Sequence, residues 1–224
     1  MKIVKSRFLI SPGDLNNFIS CKFTIKNEIK FLNKEISKSE EKVNDKIWKK
    51  MGIEHEKKYY QLLKNKYKKS ITIKSELDEK KRFDETIKAM KSGFDLIYHA
   101  YLVDGDLRGE ADFLIKCNTP SKFGNYSYEV YDTKITRNLR PRHLTQITAY
   151  SDMVGKIQKV LPDKMYLIDG SDEEHSFKTI EYIDLFNHGK KEFLKFLSNA
   201  NKEKIYPEKC SYCNLCDWRD VCDK

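Results

Sequence analysis

Nowhere do the 224 residues offer the ~20 consecutive apolar side chains of a membrane helix, so a helical span is not expected. A secretory leader is not expected either: Met1-Lys-Ile-Val-Lys-Ser-Arg7 runs into only a few apolar residues before Pro12. There is no lipidation signal, no basic amphipathic segment, no internal repeat and no linker convincing enough to divide the chain. These absences predict a cytoplasmic protein built as one domain over residues 1–224, without a membrane partner. In that compartment the six cysteines read as metal or cluster ligands rather than disulfides. Hydrophobic residues at 39% and aromatic residues at 12% suffice for one sizeable core. The 43 Lys and Arg against 34 Asp and Glu leave +9, a balance that favours a polyanionic partner, nucleic acid before membrane.

Local patterning gives a mixed α/β chain. Ser11-Pro-Gly-Asp14 starts a helix, with Ser11 at the cap and Pro12 at its first position. Leu15, Phe18 and Ile19 form its apolar face, and Cys21 lies near its end. Residues 33–45 read as a polar loop or lid. Ile47, Met51, His55, Tyr59 and Leu62 then recur at helical spacing and predict one apolar stripe. The charged residues 74–85 close the helical part, and from Leu96 the pattern turns extended. Two runs flank Asp104-Gly-Asp106, a hairpin signal, and a third strand covers 126–135. A helix carries Leu144, Ile147, Tyr150, Val154 and Ile157; strands follow at 165–168 and 177–183, and a helix at 185–197. The expected fold class is α/β (α+β), a mixed central sheet flanked by helices.

Four patterns carry chemistry, in this order: Gly52-Ile-Glu-His55, Gly109-Glu-Ala-Asp112, Asp132-Thr-Lys134 and Gln146-Ile-Thr-Ala-Tyr150. Phosphodiester hydrolysis needs an activated water and neutralisation of developing charge, which a divalent cation on hard oxygen ligands supplies. Asp112 and Asp132 suit magnesium or manganese if their strands are neighbours. Alternation puts Lys134 on the face of Asp132, where its cation can orient water or neutralise phosphate. The Thr133 carbonyl is a further candidate ligand, Glu110 shares the nominal face of Asp112, and Glu129 falls on the face opposite Asp132. The plain alternatives are a solvated charge pair for Asp132-Thr-Lys134, a core histidine for His55, and an amphipathic helix for Gln146 and Tyr150. Arg137, Arg140 and Arg142 approach the start of that last helix, where dipole and guanidinium groups together favour phosphate.

Cys213-x2-Cys216-x5-Cys222, with Trp218 inside, lacks a fourth thiolate. Cys21 and Cys210 both qualify, and the set Cys210, Cys213, Cys216, Cys222 would make a local zinc or iron–sulfur site. Cys117, at a strand end, reads as a packed thiol.

In this order the four motifs and the closing cysteines resemble the RecB-like branch of the PD-(D/E)xK nucleases, in its iron–sulfur form, from Ser11 to Cys222. The resemblance implies a restriction-endonuclease-like sheet and a metal-dependent deoxyribonuclease. It implies that His55 joins Asp112, Asp132 and Thr133 as a metal ligand, and that Gln146 and Tyr150 stand with Asp112, Asp132 and Lys134 at the reacting centre. A 4Fe–4S cluster on Cys21, Cys213, Cys216 and Cys222 is implied as well, tying the N- and C-terminal parts together. The chain is similar to CRISPR adaptation exonucleases and to nuclease modules fused to helicase or ribonuclease H-like domains. The implied action is therefore on single-stranded DNA or DNA ends, with such a domain as a fused or associated partner. Two departures are the extra Cys210 and an Asp at 132 where Glu is commoner. The rival from another class is a non-catalytic nucleic-acid-binding module stapled by zinc or a cluster.

Overall fold

The first helix begins where the sequence indicates. In the computed structural model, which describes residues 1–5, 7–200 and 204–222, Ser11 caps α1 (Pro12–Ser20). Its hydroxyl accepts from Asp14 N at 3.2 Å while Asp14 Oδ2 accepts from Ser11 N at 2.7 Å, a reciprocal box that satisfies two terminal amides. A small hairpin, β1 (Lys2–Val4) and β2 (Arg7–Leu9), precedes it, and α2 (Lys22–Leu32) follows directly after Cys21. Then come α3 (Val43–Lys66), β3 (Ser70–Thr72), α4 (Glu79–Lys91), β4 (Leu96–Asp104), β5 (Leu107–Cys117) and β6 (Ser127–Thr133). The chain continues through α5 (Pro141–Gln158), β7 (Lys164–Ile168), β8 (Glu174–Lys178) and α6 (Ile180–Asn199). A 3-10 turn at Ser211–Leu215 and the short α7 (Arg219–Cys222) complete it.

One six-stranded sheet runs in the order β3-β4-β5-β6-β7-β8. Its β3–β4 and β6–β7 pairs are parallel and the rest antiparallel, so the expected mixed sheet is present. Gly105, at φ +60°, makes the β4–β5 hairpin turn. A large core including Leu15, Phe18, Met90, Leu114, Ile147 and Phe193 fills one side of the sheet. A smaller one of Tyr59, Leu63, Tyr98, Phe113 and Tyr131 seats α3 on the other. No helix among the described residues is long and apolar enough to cross a membrane.

Three local expectations need correction. Residues 74–85 do not end the helical part: Asp78 caps α4 by accepting from Lys81 N at 2.9 Å. That helix turns most of its lysines to water and buries Thr86, Ala89 and Met90, an apolar face too sparse to stand out among lysines and glutamates. The strand expected at 177–183 is shorter, because Ile180 already belongs to α6.

The apolar stripe of α3 is buried only in part. Ile47 is 50% exposed, Met51 46% and Leu62 51%, whereas Tyr59 and Leu63 are buried. Only the C-terminal half of this 24-residue helix reaches the sheet. There Leu63 takes the buried position expected of Leu62, while Tyr59 stays on the inward side as expected. Glu56, Tyr59 and Leu63 thereby share the inward side.

Candidate active site

β5 and β6 pair as far as Phe113 with Tyr131, and beyond that rung their hydrogen bonding changes character. The next amide, Thr133 N, donates to the Asp112 carboxylate, whose Oδ2 also accepts from Thr133 Oγ1, each at 2.8 Å. Side chain thus replaces backbone at the end of the ladder, which draws Asp112 and Asp132 together. Lys134 pairs with Asp132 Oδ2, as two-residue alternation requires. Lys134 N donates to Ile168 O at 2.8 Å, so β7 holds the segment from the other side.

Burial, together with the charge of Asp132, pushes the Asp112 pKa well above the usual carboxylate range. Burial pushes Asp132 up as well, against the pull of Lys134. On Lys134 burial acts downward, yet Asp132 and Asp112 outweigh it and hold the ammonium charged. Two carboxylates crowded in low dielectric around one cation are electrostatically unsatisfied.

Glu56, which the motif reading passed over, is the third carboxylate here. Its Oε1 meets His99 Nε2 at 2.7 Å, and its charge acts on Asp112, Asp132 and Lys134. Burial works against its ionisation, but hydrogen bonds from His99 and Tyr98 prevail and keep its pKa low. His99 has φ +58°, rare for a residue with a side chain, in the middle of β4. Around it the alternation of faces changes: Leu96 and Tyr98 join the smaller core, but Ala100 and Leu102 the larger. No sequence period signals that switch. Glu110 consequently parts from Asp112 and pairs with Arg82 of α4, and Glu129 accepts from Lys164 N at 3.1 Å, away from the site.

On α5, Gln146 Nε2 donates to Tyr150 OH at 3.4 Å. Burial, with the charge of Asp132 beside it, raises the Tyr150 pKa and keeps the phenol neutral. A Cβ on Gly109 would come within 2.8 Å of the Tyr150 ring and 3.2 Å of Pro12, so glycine there makes room for the tyrosine. His143 completes the helix start: Arg140 N donates to His143 Nδ1 at 3.2 Å. Burial and the nearby Lys134 hold that imidazole neutral, with its pKa lowered to about 4. Arg137, Arg140 and Arg142 are exposed.

Two clefts flank the carboxylates. One is about 330 Å³ and is lined by Asn16, Asn17, Lys134, Arg142, Gln146 and Tyr212. The other is about 600 Å³, and Lys57, Lys58, Tyr60, Lys74, Tyr98 and His99 are among its walls.

The structure does not bring His55 into a closed ligand shell with Asp112 and Asp132. Among the described residues the single trio of metal-capable groups within 4.8 Å of one another is Asp169, Glu173 and His175. His55 Nε2 and Asp132 Oδ1 are nevertheless buried without a hydrogen-bond partner. Such groups are costly unless something satisfies them; the carboxylate oxygen suits Mg²⁺ or Mn²⁺, and the imidazole nitrogen suits a transition-metal ion such as Mn²⁺.

A separate cavity of about 420 Å³ is lined by Cys21, Cys210, Cys213, Cys216 and Cys222. None of the six cysteines is in a disulfide, and Cys117 lies elsewhere, 3.0 Å from Ser127 Oγ. Amides point at two of the sulfurs, Cys210 N to Cys213 Sγ at 3.3 Å and Trp218 N to Cys216 Sγ at 3.4 Å. Asn27, fully buried in the same wall, has neither side-chain atom hydrogen-bonded. Cysteine sulfurs around an unsatisfied amide fit an inorganic group with acceptor atoms. The tail is also docked independently: Ser39 N donates to Asp217 O at 2.8 Å, and Trp218 packs at 5.8 Å from Phe31.

The mixed α/β sheet thus gathers two aspartates and a lysine at one strand end, with a glutamate from the covering helix. The sequence profile of the PD-(D/E)XK nuclease superfamily matches residues 28–223, and the chain belongs to that superfamily. A search of curated proteins found no match. Cys21 falls outside the matched residues.

Proposed function

We propose that the protein is a divalent-metal-dependent deoxyribonuclease of the RecB-like, iron–sulfur kind that acts on single-stranded DNA or DNA ends. The observation that carries this reading is the meeting of Asp112, Asp132 and Lys134 at the splayed end of β5 and β6, with Asp132 Oδ1 unpartnered. Asp112, Asp132 and His55 would hold Mg²⁺ or Mn²⁺, with the Thr133 carbonyl as a further ligand. A bound cation there polarises water and neutralises phosphate charge. Lys134 orients the attacking water or offsets charge on the phosphate, and Glu56 stands within the same field as an acceptor for its proton. Gln146 and Tyr150 present neutral polar groups beside the scissile bond.

Substrate grip follows from charge. Arg140 and Arg142 sit at the positive end of the α5 dipole, an unfavourable placement by about 0.3–1 kcal/mol each unless an anion lies there. A DNA phosphate is that anion, and Lys57, Lys58 and Lys74 offer a basic wall on the opposite flank. A linear single-stranded oligonucleotide should be degraded much faster than a closed circular duplex. Replacing Arg140 and Arg142 by alanine should weaken binding and flatten its dependence on log salt by about 1.4, at ~0.7 per phosphate contact. Equal cleavage of the two substrates would contradict end-directed action. A fused or associated helicase or ribonuclease H-like domain remains part of the proposal through resemblance alone.

Cys21, Cys213, Cys216 and Cys222 are proposed to hold a 4Fe–4S cluster. A second reading has one observation in its favour. Cys210 and Cys213 sulfurs are 3.9 Å apart, close to the ~3.8 Å of two thiolates on one zinc. Cys21→Ser should lose iron and destabilise the fold by about 3–5 kcal/mol, because the cluster then no longer closes the long loop between the chain's ends. Cys210→Ser should retain both iron and stability. Reversed iron contents would assign the local four-cysteine set, and zinc in place of iron would favour the non-catalytic stapled module.

A further inference from the structure

The turn between β7 and β8 explains its own metal-like trio. Asp169 Oδ1 accepts from Ser171 N at 2.8 Å, Ser171 Oγ at 2.7 Å and Glu173 N at 3.2 Å, while Oδ2 meets His175 Nε2 at 3.0 Å. Its carboxylate is thus spent on shaping the turn. Gly170 docks that turn against the chain just after Lys134: its amide donates to Thr136 O at 3.2 Å, and its bare α-carbon lies on the Ile135 carbonyl.

This scaffold fixes Asp172 at φ +65°, a left-handed conformation that aspartate tolerates better than most residues. Lys58 of α3 pairs with Asp172 Oδ2. Asp172 Oδ1 lies 3.6 Å from His55 Nδ1, and it is buried with no hydrogen-bond partner of its own. On the far side of the same imidazole, Nε2 is likewise buried and unpartnered. A carboxylate therefore faces one ring nitrogen while the other ends in a space without a protein partner.

We propose that Asp172 is a positioning residue for a divalent cation: its carboxylate keeps the His55 proton on Nδ1 and leaves Nε2 unprotonated as the ligand atom. The proposal rests on the reading of His55 as a metal ligand. An imidazole can bind metal through one nitrogen only if the proton sits on the other, and a carboxylate behind the ring fixes that choice and the ring's direction. The same contact links α3 to the strand end that carries Asp132 and Lys134, because Gly170 and Asp172 are two residues apart in one rigid turn. None of the four motifs contains Asp172, so its role arises from the fold.

The test uses the full chain and Mn²⁺ alone. Asp172→Asn keeps the volume and suits the left-handed backbone, but its amide can donate to Nδ1 and reverse the tautomer. In the metal-free protein, imidazole ¹⁵N shifts should move His55 from the Nδ1–H to the Nε2–H form. Calorimetry should show Mn²⁺ affinity lowered about tenfold or more. Asp172→Gly, equally compatible with the turn, guards against a failure of the first variant to fold, and should weaken Mn²⁺ binding similarly. If His55→Ala weakens Mn²⁺ binding while both Asp172 variants leave affinity and tautomer unchanged, Asp172 only shapes the turn and the proposal is overturned. If His55→Ala itself leaves affinity unchanged, the ligand reading of His55 fails first.

Discussion

Asp112→Asn should inactivate the enzyme and, without metal, make the protein more stable. The first effect follows from the proposed role of Asp112 as a charged metal ligand, and cleavage should fall by roughly 10²- to 10⁴-fold, the scale of one preorganised catalytic element. The second follows from the electrostatics of the site. Burial and the Asp132 charge raise the Asp112 pKa, and Asp132 is itself raised by burial, so one lysine faces more carboxylate than it can compensate. Asparagine keeps an oxygen for Thr133 N and Oγ1, both now at 2.8 Å from Asp112 Oδ2, and removes a buried charge. A gain of about 0.5–2 kcal/mol is expected, which lifts the melting temperature by several degrees in a protein of this size. Thermal melts in chelator beside a cleavage assay check both halves. A variant that is less stable and still active would remove Asp112 from the site.

Gly170→Ala should be among the most destabilising single-methyl changes in the chain. A Cβ there would fall on the Ile135 carbonyl oxygen and lie 2.8 Å from the carbonyl carbon. The obstacle is backbone on both sides, so no rotamer change relieves it, and strand end and turn must separate. The cost is about 3 kcal/mol. Cleavage should drop as well, because Ile135 follows Lys134 directly and a displacement near 1 Å can cost about a hundredfold. Gly52→Ala provides the opposite case. Its Cβ would meet Ile135 Cγ2 at an ordinary 3.9 Å, and alanine in a helix is favoured over glycine by about 0.5–1 kcal/mol. Denaturant melts of the two variants should shift in opposite directions; equal shifts would refute the steric argument.

Those two glycines also mark how far the sequence could be read. Gly52 stands in a pattern visible along the chain, yet the structure gives its hydrogen atom no steric necessity. Gly170 belongs to no pattern, and its importance comes from Ile135, brought against it only by the pairing of β6 with β7. The same division holds throughout. Asp132 and Lys134 could be paired from alternation alone, the Asp104-Gly-Asp106 hairpin from its turn chemistry, and α1 from its cap. Each is a local rule acting over a few residues. Glu56 was missed because hydrophobic spacing follows apolar residues, whereas packing of Tyr59 and Leu63 with Phe113 and Tyr98 brings this charged neighbour to the inward side as well. His99 and Asp172 hold left-handed backbone conformations, which their residue types permit but do not announce. The cysteines were countable, but which of five line a ligand shell depends on a cavity shared by both ends of the chain.

The central claim is that Asp112, Asp132 and Lys134 form a metal-dependent phosphodiester-cleaving centre. It is tested most directly by incubating a labelled single-stranded DNA with the wild-type protein and with Asp132→Ala, each in Mn²⁺ and in chelator. The account predicts cleavage by the wild type in Mn²⁺ only, and none by Asp132→Ala under either condition while its circular dichroism matches the wild type. Undiminished cleavage by Asp132→Ala, or cleavage by the wild type that persists in chelator, would contradict it.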